Sequence, residues 1–313
     1  MTRAVIIDTD PGTDDAIALW LALASPELEV RLITVAGGNV GLAHTLRNAR
    51  AIVALAGRAV PVVAGSDRAL LGPFVDAAYV HGDDGLGGVR LPEGPPAQPG
   101  IAADAIRAVL REAAPGSVSL VGLGPATNLA LALLAEPALA GRVAEIVLMS
   151  GAMTEGNVTA SAEFNAYCDP EALAVLLGFG VPVTLATLDV TNQALCEPRH
   201  IAALEAAGQG ACLRATAAIW RSVPPSPRAG GIGHEQHDAC AVAWLVRPEI
   251  FVARPARVAV ECAPGLNRGR TVVDFWARHP GAAGQQGAQV RFLEKLDREA
   301  FFALLQERLS RLP

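Results

Sequence analysis

Asp8, Asp10, Asp14 and Asp15 place four carboxylates within eight consecutive positions, DTDPGTDD. Carboxylates crowded on one stretch of backbone repel one another and resist leaving water unless a positive charge sits among them. A hard divalent cation supplies that charge: calcium takes roughly six to eight oxygen ligands, magnesium an octahedral set that retains waters. The plainer reading is that Asp14 and Asp15 cap a helix while Asp8 binds backbone amides in a turn. An EF-hand loop is excluded, because its sixth position must be Gly and its twelfth Glu, and counting from Asp8 or Asp10 satisfies neither. A second chemical pair lies far along the chain, where His237 directly precedes Asp238.

The elements that must hold these groups follow from the hydrophobic pattern. Residues 4–7 are a short apolar run ended by Asp8 and then Pro11-Gly12, a buried strand and a turn; the segment from Asp14 onward has helix formers and opens on two carboxylates, which suit the positive end of a helix dipole. The same alternation recurs at 30–35 and 42–56, 118–121 and 126–135, 143–149 and 170–177. Nearly continuous apolar strands alternating with helices predict an α/β fold, an open and mostly parallel sheet covered on both faces. Its ligand crevice lies beyond the carboxyl ends of the strands. The groups falling there are Asp8-Thr9-Asp10, Gly37-Gly38-Asn39, Gly122-Leu123-Gly124 and Ser150-Gly151 leading to Asn157. Short β-type runs at 257–260, 271–275 and 289–292 and a helix at 297–309 read as additions to the same body, so residues 1–313 are expected to form one domain.

Composition narrows the function. With 25 basic and 31 acidic residues the net charge is −6, which argues against a phosphate-backbone binder and hence against a nucleic-acid partner. Lys295 is the single lysine, and five cysteines without a CxxC pair read as reduced thiols, an expectation of a cytoplasmic protein. The amino-terminal segment lacks the apolar length of a signal peptide, and the run 17–24 is too short for a membrane span, so no membrane association is expected. Asp8-Thr9-Asp10 after a strand also imitates haloacid-dehalogenase-like phosphatases, although Gly12 and the remote Lys295 depart from that pattern. The glycines near Leu123 imitate a dinucleotide fingerprint, but Thr127 stands where its third Gly belongs.

Read whole, the string DTDPGTDDA at 8–16 resembles the amino-terminal signature of the nucleoside hydrolases, the inosine/uridine-type N-ribohydrolases. GGN at 37–39, HGDDGLGG at 81–88, GLGPATNLA at 122–130, the segment 149–172, HDACAVA at 237–243 and TVVD at 271–274 look like that family's blocks in its order. The resemblance implies a calcium-dependent hydrolysis of ribonucleosides to ribose and free base, in a homodimer or homotetramer. It makes Asp10 a general base and, with Asp15, Asp238 and the Leu123 carbonyl, a calcium ligand. It gives the ribose to Asp14, Asn39, Asn157, Glu163 and Asn165, an apolar wall to Met149 and Phe164, and the departing base to His237. His81 then sits in a loop that closes over the substrate. One departure stands out: some relatives carry a tyrosine before the HD block, where this chain offers Trp220, Arg221 and His234. A phosphohydrolase and a non-catalytic ribose or nucleoside binder are the alternatives to the hydrolase reading.

Overall fold

A computed structural model describes residues 2–276 and 287–313. Nine strands form its main sheet: β1 (Arg3–Thr9), β2 (Leu28–Val35), β3 (Val62–Ala64), β6 (Val118–Gly122), β7 (Val143–Met149), β8 (Val183–Ala186), β11 (Phe251–Val260), β12 (Thr271–Asp274) and β13 (Ala288–Leu296). Two short antiparallel pairs stand apart, β4 (Arg68–Ala69) with β5 (Gly72–Pro73) and β9 (Leu195–Cys196) with β10 (His234–Glu235). The order across the main sheet is β12-β11-β13-β8-β7-β6-β1-β2-β3. From β3 through β13 neighbours run parallel, and only β11 and β12 are antiparallel.

The expected α/β architecture is therefore present, with one revision. Two of the carboxyl-terminal runs, β11 and β13, are longer than their apolar cores suggested, β12 is one residue shorter, and all three extend the main sheet: β13 pairs in parallel with β8, and β11 lies antiparallel along β13. Pro255 lies inside β11 opposite Arg291 of β13, and the pairing with β12 covers only Arg257–Val260, so no β12 ladder bond asks for its missing N–H.

The chain leaves β1 toward β2 and β3 on one side and returns on the other as β6, β7 and β8. That reversal between β1 and β6 opens a crevice at the carboxyl ends of the strands. The helix Thr13–Ala24 runs from its rim, and all twelve of its residues are buried. A helix apolar on every side belongs in an interior; this one packs along the helix Asp238–Val246, which is buried over most of its length. Both helices begin at the crevice, so their amino-terminal carboxylates meet there.

Candidate active site

Asp10 follows the last residue of β1 and is 1% exposed. Its Oδ2 accepts the Asn39 backbone N–H at 2.8 Å, whereas Oδ1 is buried with no partner among the described residues. Gly38 and Gly124 flank the two oxygens so closely that a Cβ at either position would overlap the carboxylate. Gly12 does the same service nearby: a Cβ there would lie 2.7 Å from Asn39 Nδ2 and from His81 Nδ1.

Asp15 sits in the first turn of its helix, where Thr9 Oγ1 (2.5 Å), Gly12 N–H (2.8 Å) and Asn39 Nδ2 (2.9 Å) donate to it. Carboxylate oxygens of Asp14, Asp15 and Asp238 all lie within 4.8 Å of one another. Asp10 stands outside that trio, but its charge reaches Asp15 and Asp238. Burial, reinforced by mutual repulsion, pushes the carboxyls of Asp10, Asp15 and Asp238 above their ordinary range. Buried acids with one oxygen unpartnered and no lysine or arginine lining their cavity among the described residues are a donor set suited to a hard divalent cation. The Leu123 carbonyl accepts Asn165 Nδ2 at 2.6 Å, and its second lone pair stays available.

Asp8, grouped with the cluster by sequence, does not share the cleft. It faces into the sheet, where Thr34 Oγ1 (2.5 Å) and Asn128 Nδ2 (2.9 Å) donate to it, and desolvation raises its pKa to about 7. Its role is to tie β1 to β2 and to the helix after β6.

A cavity of about 370 Å³ opens over the trio, a volume in the range of small-molecule sites. Asp14, Asn39, His81, Leu123, Met149, Asn157, Glu163, Phe164, Asn165, His237 and Asp238 all border it, so the residues expected to meet a sugar converge there. They are not equivalent. The Glu163 carboxylate accepts the N–H groups of Gly151, Asn165 and Ala166, so it braces the loop after β7, and desolvation lifts its pKa to about 7. Asn39 and Asn165 spend their amide N–H groups on Asp10, Asp15, Leu123 and Met149, leaving their side-chain carbonyls. Asp14 makes no hydrogen bond among the described residues, and Asn157 uses only Oδ1, on the Phe164 N–H.

His81 is buried and accepts the Thr13 N–H at Nδ1 (3.2 Å), which fixes its proton on Nε2; burial lowers its pKa. His237 contacts Thr191 Oγ1 through Nδ1 at 2.8 Å. The Pro-rich segment 223–227 closes one wall, with Tyr79 and Val80 at the mouth. Among the described residues the wall holds carboxylates and no lysine or arginine. Lys295 lies exposed on β13 and does not border the cavity, so no described residue of the wall offers the cationic group a phosphohydrolase sets beside its phosphate.

A family model for inosine-uridine preferring nucleoside hydrolases matches residues 5–303. The chain is 41% identical, over 99% of both sequences, to the pyrimidine-specific ribonucleoside hydrolase RihA of Salmonella enteritidis. Among solved structures, a plant nucleoside hydrolase superposes with a TM-score of 0.91 at 31% identity, covering 99% of each chain. The purine-preferring ribonucleoside hydrolase of Gardnerella vaginalis gives 0.88 at 32% identity, covering 98% of each. With its mostly parallel sheet, its acidic crevice and these relatives, the chain belongs to the inosine-uridine preferring nucleoside hydrolase family and is a nucleoside hydrolase.

Proposed function

We propose that this enzyme cleaves the N-glycosidic bond of ribonucleosides with water, releasing ribose and free base, and that it does so with a calcium ion. The observation that carries the reading is the unpartnered, buried Oδ1 of Asp10 beside the carboxylate trio. Asp10, Asp15, Asp238 and the Leu123 carbonyl would hold the ion, and Asp14, the third member of the trio, is close enough to Asp15 and Asp238 to turn toward the ion or toward the sugar. A divalent cation in such a site acidifies water. Asp10 Oδ1 is the free acceptor placed to take the proton from the attacking water. Asp14, Asn39, Asn157 and Asn165 offer unspent polar atoms to ribose hydroxyls, Glu163 fixes the loop that carries the last two, and Met149 and Phe164 give apolar wall. Carboxylates around the sugar favour the positive charge that develops on it as the bond breaks. His237, oriented by Thr191, is the proton donor or hydrogen-bonding group for the departing base, and His81 closes the opposite side through Thr13. The whole chain acts as one catalytic domain, cytoplasmic and assembled as a homodimer or homotetramer.

Free base released from uridine or inosine, read by chromatography, is the expected product. Inorganic phosphate from phosphate esters, or saturable nucleoside binding without turnover, would replace this reading with the phosphohydrolase or the binder.

Exhaustive chelation should destabilise the fold as well as stop turnover. An ion present at about 100 to 1,000 times its Kd stabilises by about 3–4 kcal/mol. The effect carries a sign with pH. Without the cation Asp10, Asp15 and Asp238 hold protons in the folded state that the unfolded chain releases above about pH 4, so folding stability falls as pH rises above that value. The rise in melting temperature on adding calcium should therefore be larger at pH 7.5 than at pH 5. Identical melting temperatures with chelator and with calcium at both pH values would contradict the ion.

A further inference from the structure

Three side chains stand where some relatives carry a tyrosine, and the fold separates them. Trp220 is buried beneath the cavity and donates its Nε1–H to Gln236 Oε1 at 2.8 Å, so it braces the wall without forming it. Arg221 turns outward to Glu205 at 2.6 Å. His234 alone of the three borders the cavity.

Its position is rigid. β10 pairs with β9, Gly233 passes so close to the Cys196 carbonyl that a Cβ would overlap it, and the Gln236 N–H bonds Ala194 O at 3.0 Å. His234 is 5% exposed, yet its Nε2 has no hydrogen-bond partner among the described residues. A buried polar atom that the protein leaves unpaired, on a fixed strand in the wall of a substrate cavity, calls for a partner from the substrate.

We propose that His234 is a specificity-determining residue of the base subsite, its imidazole hydrogen-bonding the nucleobase and holding it in line as the glycosidic bond lengthens. The proposal rests on the ribonucleoside reading above. The ribose contacts come from the loops after β1, β2 and β7, whereas His234 enters from the separate segment that also carries His237. Burial keeps the ring neutral, with its pKa lowered to about 4. A neutral imidazole offers one N–H and one lone pair, the complement of the alternating donors and acceptors on a pyrimidine or purine edge. Held neutral, it orients the base and leaves proton delivery to His237.

The test uses full-length, calcium-loaded enzyme with His234→Ala and His234→Gln, on uridine, inosine and 4-nitrophenyl β-D-ribofuranoside. The last has the same sugar, but its leaving group departs as a stable anion and presents no nucleobase edge. His234→Ala should lower kcat/KM for at least one nucleoside about 10- to 100-fold, the scale of one lost buried hydrogen bond. The nitrophenyl riboside should change less than about threefold, and His234→Gln, which restores a donor and an acceptor, should recover much of the nucleoside loss. Equal losses on all three substrates by the Gln variant, or full nucleoside activity in the Ala variant, would overturn the assignment. Wild-type enzyme inert on all three would instead sink the ribonucleoside reading, and this proposal with it.

Discussion

Asp10→Asn should lower kcat on ribonucleosides by roughly 10³- to 10⁵-fold while leaving the fold intact. Two losses combine. A positioned general base contributes typically about 10²- to 10⁴-fold, and an amide cannot take the proton. The substitution also removes one negative charge from the proposed cation site. Shape is retained: the side-chain carbonyl of Asn can still accept the Asn39 N–H, and the replacement is no larger than the space that Gly38 and Gly124 leave. Stability should move in the opposite direction to activity. In the cation-free protein Asp10 must either bury its charge beside Asp15 or hold a proton that the unfolded chain would release, and a neutral amide escapes both costs. A thermal melt in chelator should show the variant at least as stable as the parent. Turnover within tenfold of wild type would remove Asp10 from the mechanism.

Much of this site was legible in the sequence because its groups lie just after apolar strands. Periodicity located β1, β2, β6 and β7, and the rule that open parallel sheets bind at their carboxyl ends put Asp10, Asn39, Leu123 and Asn157 on one rim. Three things were not legible, for definite reasons. The parallel pairing of β13 with β8 joins residues about a hundred positions apart, and no local pattern encodes it. Asp8 and Asp10 are two positions apart, which strand alternation alone would put on one face, but β1 ends at Thr9, so Asp8 stays in the sheet bonded to Thr34 and Asn128 while Asp10 lies in the turn beyond it, bonded to the Asn39 N–H; proximity in sequence hid that. Nor can residue type say which atoms of a side chain are already spent. Glu163 looks like a ribose ligand by name, yet three backbone N–H groups occupy it. His234, by contrast, carried no motif of its own, and only the geometry separates it from Trp220 and Arg221.

The unspent atoms lead to the second large effect: kcat/KM for uridine should exceed that for 2′-deoxyuridine by roughly 10⁴- to 10⁵-fold, the ratio seen when a site built to bond a hydroxyl meets an analogue lacking it. The cavity supplies the conditions for so steep a penalty. Asp14, Asn39 and Asn165 are each at least nine-tenths buried, so water cannot readily replace a missing hydroxyl at them. Their remaining acceptors are fixed, since Asn39 is held by Asp10 and Asp15, and Asn165 by Leu123 and Met149. Each buried polar atom left without its partner costs about 1–3 kcal/mol, more where it is charged, as at Asp14. Two or three such atoms reach the roughly 5.5–7 kcal/mol that the ratio requires. The loss should fall on kcat more than on KM if these contacts tighten as the ribose flattens toward its cationic transition state, because only interactions stronger there than in the bound substrate speed the chemical step. Parallel kinetics on uridine and 2′-deoxyuridine, with free uracil as the common product, measure both quantities. Equal kcat/KM for the pair would show that these side chains serve the fold and the cation, and that the sugar is read elsewhere.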